Sequence, residues 1–173
     1  MNAQGGKYRN ALQAASYKGH EAIAKLLIEN GADVNAHGGF YENALQAAIY
    51  EGHEAIAKLL IEHGADMKAQ GGEYGSALQA ALFWGHTAIA KLLVQNGADV
   101  NAQGGIYGNA LQAASYKGYE AISKFLIDNG ADVNAQGGIY GNALEAALLF
   151  GHTEIAKLLI ENGADVNAQG GLY

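Results

Sequence analysis

Six histidines, seventeen acidic side chains and no cysteine bound the chemistry this 173-residue chain can attempt. His53-Glu54 begins like the zinc-protease pattern H-E-x-x-H, but Ala57 stands where the second histidine must be. His20, His53, His86 and His152 each follow a glycine, and Tyr119 fills the same slot between the last two. If that interval is one stacked unit, neighbouring histidines lie about a helix diameter apart, ~10 Å, too far to share one ion. They are expected to pack or bond at a turn. Gly71-Gly72-Glu73-Tyr74-Gly75 is glycine-rich, yet no Gly-Lys-Ser/Thr follows it, so it reads as a turn and not a phosphate cradle. Carboxylate pairs and Ser/His/Asp sets recur along the chain, whereas an active site breaks symmetry. The expectation is a protein that is not an enzyme and needs no metal and no cofactor.

Composition narrows the partners. Nine scattered lysines and one arginine against seventeen acids give a net charge of −7, which does not suit a phosphate backbone. No apolar run approaches the ~18 residues of a membrane span. The start MNAQGGKYRN lacks the order of a signal peptide, and neither cysteine nor an Asn-X-Ser/Thr sequon is present. A cytoplasmic chain with no nucleic-acid and no membrane partner is expected.

The elements that must position these residues are set by a repeat. Asn2-Ala3-Gln4-Gly5-Gly6 returns with small changes at Asn35, Lys68, Asn101, Asn134 and Asn167, 33 residues on each time. The spacing divides a single array into units 2–34, 35–67, 68–100, 101–133 and 134–166, with a partial unit 167–173. Each unit parses as turn, helix, turn, helix. Asn10/Gln13, Asn43/Gln46, Ser76/Gln79, Asn109/Gln112 and Asn142/Glu145 have capping-box spacing. Gly19, Gly52, Gly85, Gly118 and Gly151 then end the first helix. In the second helix Ile23, Leu26 and Leu27 fall on one face. Neither short helix buries its stripe alone, so near-identical units must stack. The fold class expected is all-α: a solenoid of helix-turn-helix repeats with protruding hairpin-like loops.

Here the chain resembles the ankyrin repeat over its whole length. The 33-residue period, the Gly-His pairs, the I-A-K-L-L helix and Gly31-Ala32-Asp33-Val34-Asn35-Ala36 carry the resemblance. Asn-Ala-Leu-Gln replaces the family's Thr-Pro-Leu-His, and Gly-Gly-X-Tyr replaces its Asp-X-X-Gly turn. The phrase NAQGGxYGNALQAA, repeated with little drift, is similar to the C-terminal ankyrin arrays of fungal NLR-type (STAND) receptors. That resemblance implies a concave groove for a protein or peptide ligand, on the sensing array of a larger receptor.

Variation is confined. Units one and four differ at only six positions, and Lys25, Lys58, Lys91, Lys124 and Lys157 never change. Five columns do vary in chemistry. One holds Lys7, Phe40, Glu73, Ile106 and Ile139, just before an invariant tyrosine; another, just after it, holds Arg9, Glu42, Gly75, Gly108 and Gly141. The other three are consecutive at the end of the first helix: Ser16-Tyr17-Lys18, Ile49-Tyr50-Glu51, Leu82-Phe83-Trp84, Ser115-Tyr116-Lys117 and Leu148-Leu149-Phe150. The resemblance places four of these columns on the groove; the Ser16 column matches a packed position. The tyrosines Tyr8, Tyr41, Tyr74, Tyr107, Tyr140 and Tyr173 read as hairpin packing. Charge gathers toward the start of the groove and large apolar groups toward its end, with Phe83, Trp84 and Phe150 expected to be exposed anchors. Two rivals stand beside a binding module: a designed consensus scaffold and a self-assembling structural array. Unit five is as apolar as the interior ones, so a piece of a longer array, open to end-to-end self-association, is expected.

Overall fold

The computed structural model describes residues 9–69 and 74–168. Among them are ten helices in five consecutive pairs: α1 (Ala11–Lys18), α2 (Glu21–Glu29), α3 (Ala44–Glu51), α4 (Glu54–Glu62), α5 (Ala77–Phe83), α6 (Thr87–Gln95), α7 (Ala110–Lys117), α8 (Glu120–Asp128), α9 (Ala143–Leu149) and α10 (Thr153–Glu161). Odd-numbered helices pack in a row, and even-numbered helices form a second row against it. The described residues contain no strand; an isolated bridge joins Gly104 and Gly108.

Local signals set the helix ends. Asn10, Asn43, Asn109 and Asn142 accept from the backbone N–H three residues on at 2.8–2.9 Å, and Ser76 does so at 3.3 Å. Such a cap contributes on the order of 1 kcal/mol. At Ser76/Gln79 and Asn109/Gln112 the glutamine Oε1 also accepts from the cap's own N–H, at 2.7 and 2.9 Å. The glycine after each odd-numbered helix is left-handed, with φ between 73° and 83°.

The even-numbered helices start without a side-chain cap. The residue at that position turns to the preceding pair instead. His53 Nε2 lies 3.0 Å from the Tyr17 carbonyl oxygen, and His152 Nε2 lies 3.1 Å from that of Tyr116. A Cβ on Gly19 or Gly118 would stand 2.6 Å from these rings. The Gly-His phrase is therefore a joint between pairs.

Burial follows the stacking. Ile49, Leu82, Ile56, Leu60, Ile89, Leu93, Leu126 and Leu159 are almost completely buried. Ser16 and Ser115 are buried too, so the Ser16 column is a packing column as the resemblance implied. The stripe of the first pair differs from the expectation: Ile23 is 49% and Leu26 59% exposed. Their interior equivalents are covered by the pair before them, and no described helix precedes α1. At the other end Leu148 is 62% exposed where Ile49 and Leu82 are at 0%.

Polar side chains join the pairs along two further lines. Gln13 Nε2 donates to the carbonyls of Ala36 and Gly38, Gln79 to Gly104 and Gly108, and Gln112 to Ala135, Gly137 and Gly141. Asn35, Asn101 and Asn134 each donate to a glycine carbonyl of the next pair and accept from an aspartate N–H there. Lys68 occupies the matching place in the third unit, and an ammonium cannot make that two-way bridge. The invariant lysines are exposed; Lys25, Lys58 and Lys124 pair with the acid four residues on at 3.7–4.0 Å. Such pairs contribute only about 0.3–0.5 kcal/mol each.

Candidate partner-binding face

The loops between pairs explain the Gly-Gly-X-Tyr phrase. Gly104 N–H donates to the Gly108 carbonyl and Gly137 N–H to that of Gly141, both at 2.8 Å, closing five-residue hairpins; Gly38 and Glu42 repeat the bond at 2.6 Å. Ile139 N–H then donates to the Ile106 carbonyl of the preceding hairpin at 2.9 Å. The hairpins lie so close that a Cβ on Gly105 would run into the Tyr74–Gly75 peptide, and one on Gly138 into Tyr107–Gly108. The second glycine of the pair is a contact surface.

The position after the turn tyrosine is left-handed in all five units. It is glycine at 75, 108 and 141, with φ of 85°, 81° and 77°, but Arg9 (54°) and Glu42 (63°) in the first two. An L side chain in this region costs roughly 1–2 kcal/mol. At Gly75 and Gly108 a Cβ would also stand 2.8 Å from the backbone of the next hairpin. Two units thus carry side chains where two others leave no room for one.

The variable aromatics and the turn tyrosines form one continuous row. It runs from Tyr17 to Tyr41 (4.8 Å between ring centroids), Tyr50 (5.0 Å), Trp84 (4.5 Å), Phe83 (5.0 Å), Tyr107 (5.5 Å), Tyr116 (4.9 Å) and Phe150 (4.7 Å). Tyr74 and Tyr140 pack beside it, and Phe40 abuts Tyr41. Phe83 and Trp84 correct the sequence expectation: both are half-buried rather than exposed, because Tyr74 packs against each. Tyr50 and Tyr116 are half-buried as well. Trp84 Nε1 is buried and has no hydrogen-bond partner among the described residues.

The remaining candidates divide by exposure. Phe40 is 70%, Leu149 54% and Phe150 46% exposed, and Arg9, Lys18, Glu51 and Ile139 also face solvent. Glu42, Ile106 and Lys117 are half-buried. Lys117 holds its ammonium 4.2 Å from the centre of the Phe83 ring and 5.2 Å from that of Tyr116. Lys18 covers Tyr17 at 5.1 Å. Burial, with Tyr116 beside it, pushes the Tyr107 phenol well above the ordinary tyrosine range. Lys7 and Glu73 lie outside the described residues.

Between the second and third pairs the row opens into a cavity of about 240 Å³. Phe40, Tyr41, Tyr50, Tyr74 and Trp84 supply its walls, with Glu42 as the single charged group among the described lining residues. From the sequence Tyr41 and Tyr74 are expected to serve as hairpin packing. They pack, and they also wall this cavity. The signal was a fixed aromatic close in sequence to columns that vary between aromatic and charged types. No group of three or more His, Asp or Glu among the described residues is placed to hold a metal ion. No described helix is long and apolar enough to cross a membrane.

Short helix pairs joined by projecting hairpins, with side chains linking each pair to the next, define an all-α solenoid repeat protein. The model for the family described as ankyrin repeats (3 copies) matches residues 12–104 and 105–170, and the chain belongs to that family. No curated protein matches the sequence. Ankyrin repeats generally mediate protein–protein interaction.

Proposed function

We propose that this chain is a non-enzymatic binding module, one continuous array of the five units and partial sixth read from the 33-residue period. Its protein or peptide ligand lies along the hairpins and the C-terminal ends of the odd-numbered helices. One observation carries this reading. The described members of four columns that vary in chemistry lie on or beside a continuous aromatic row, while the exposed lysine column of the even-numbered helices stays constant. Free drift would have scattered the changes over every exposed position. The likeness of the repeated phrase to fungal NLR-type arrays supports a more specific role, the cytoplasmic sensing segment of a receptor. Near-identical units with a variable face suit a sensor whose specificity can change.

The test is capture from lysate on the intact chain and on variants altered at Lys18, Glu51 and Phe150, each checked for an unchanged melt. A partner retained by the intact chain and lost by the variants supports the reading. Equal retention refutes it.

A second reading rests on the exposed apolar groups at the two ends of the row of pairs, Ile23 and Leu26 on α2 against Leu148, Ile160 and Val166. These surfaces suit end-to-end association of copies. Sedimentation should then show mass rising with concentration, whereas a monomer at every concentration removes this reading.

A further inference from the structure

Several of the rings that wall the cavity at Glu42 meet at steep angles. Around it Tyr50 and Trp84 are inclined at 58°, Tyr41 and Tyr50 at 62°, Tyr74 and Trp84 at 69°, and Phe40 and Tyr41 at 81°. Tyr41 and Tyr74 each stack one face outside this set, on Tyr17 at 27° and Phe83 at 28°; farther along, Tyr116 stacks on both Tyr107 (28°) and Tyr140 (16°), while Phe150 meets Tyr116 and Tyr140 edge-on. A concavity walled by five aromatic rings offers a cation the ring faces that attract it. The same row already shows this preference, since Lys117 lies over Phe83. In the Lys117 column the second unit has Glu51 and the third has Trp84, so the column supplies no ammonium at this seam.

Charge and strain point the same way. The chain carries −7, and the one charged group among the described lining residues is a carboxylate. Glu42 is kept in a left-handed conformation that glycine fills in three other units. A strained non-glycine residue lining a cavity is a marker of function. The chemistry of the cation follows from what the walls can accept. The Ser76 hydroxyl is committed to capping α5, and the other polar groups among the described lining residues are Glu42, Gln46, the Trp84 N–H and the hydroxyls of Tyr41, Tyr50 and Tyr74. A guanidinium with five N–H donors, or a bare ammonium with three, needs an acceptor in line with each donor, which a ring face does not supply. A methylated ammonium presents C–H groups instead.

We infer that this cavity binds the methylated ammonium end of a lysine side chain presented by a protein partner. The inference rests on the reading of this face as the binding surface and gives that surface a chemical target.

Trp84 is the only tryptophan in the chain and stands in the cavity wall, so its fluorescence reports occupancy directly. Four probes are titrated: a glycine-flanked peptide carrying trimethyllysine, the same peptide unmethylated, its uncharged tert-butyl isostere, and choline. The trimethyllysine peptide should give a saturable change, with the isostere and the unmethylated peptide roughly tenfold weaker. Choline should bind, but more weakly than the methylated peptide. Glu42→Gln, which keeps the shape and removes the charge, should weaken the trimethyllysine peptide several-fold with an unchanged melt. Equal affinity for the cation and its isostere would make the cavity an apolar slot and overturn the inference. So would tighter binding of choline than of the methylated peptide, or no saturable change at millimolar peptide. A lysate partner lost on groove substitution but indifferent to Glu42→Gln would sink this inference and leave the binding-module reading standing.

Discussion

The hairpin seam between the second and third pairs and the seam between the fourth and fifth are built from nearly the same phrase and end differently. At the later seam Gly108 lets the next hairpin approach closely, the tyrosines stack, and Phe150 meets Tyr116 edge-on. At the earlier seam Glu42 brings a Cβ and a carboxylate to the same backbone position, the rings meet at steep angles, and a cavity remains. One seam has put its aromatic surface into packing; the other leaves part of it lining a cavity. Repetition supplies the frame, and the residue after the turn tyrosine is one place where the two seams differ.

Both seams depend on the helix stripe beneath them. Leu60, wholly buried on α4, should lose roughly 2–5 kcal/mol of stability on truncation to alanine. Urea denaturation should show this with the cavity's ligand preference unchanged in the fraction that stays folded. A change of well under 1 kcal/mol would mean the stripe is not the shared support.

Next in size is a substitution aimed at close hairpin packing. Gly105 has φ of 61°, and its Cβ would strike the Tyr74–Gly75 peptide, so Gly105→Ala should cost about 2–3 kcal/mol. A neutral effect would show that neighbouring hairpins can part freely, and the contrast between seams would lose its cause.

Trp84→Ala sharpens the comparison because the side chain serves both roles. Half-buried against Tyr50, Tyr74 and Phe83, it should cost about 2 kcal/mol of stability, less than a fully buried aromatic, as well as partner affinity. A change within ~0.5 kcal/mol would return it to the purely exposed anchor expected from the sequence.

Much of this was legible beforehand, and the reasons are physical. The period, the Asn-X-X-Gln caps and the glycine stops are local signals, read without knowing what packs where. The stacking followed because helices of seven to nine residues cannot stand alone. The ring geometry was hidden because it depends on contacts between residues about 33 apart, such as Tyr50 with Trp84. A glycine at 75, 108 and 141 suggested a turn, but nothing in the letters said that Glu42 shares its left-handed backbone. The forward reach of Gln13, Gln79 and Gln112 into the next hairpin was equally invisible; the capping box accounts for only one end of that side chain.

A smaller effect tests the links between pairs. Lys68→Asn should restore the two-way amide bridge that Asn35, Asn101 and Asn134 make, adding about 1 kcal/mol. Calorimetry should show a single sharper transition. No gain would mean that the bridge contributes little even where it forms.

The most direct test of the difference between the two seams is the denaturation free energy of Glu42→Gly, measured beside its affinity for the trimethyllysine peptide. Glycine relieves the left-handed backbone and removes the carboxylate, so stability should rise by about 0.5–1 kcal/mol while the peptide binds several-fold more weakly. A variant that is less stable than the parent, or that binds as well, would show that Glu42 is neither strained nor kept for a ligand, and would contradict the account.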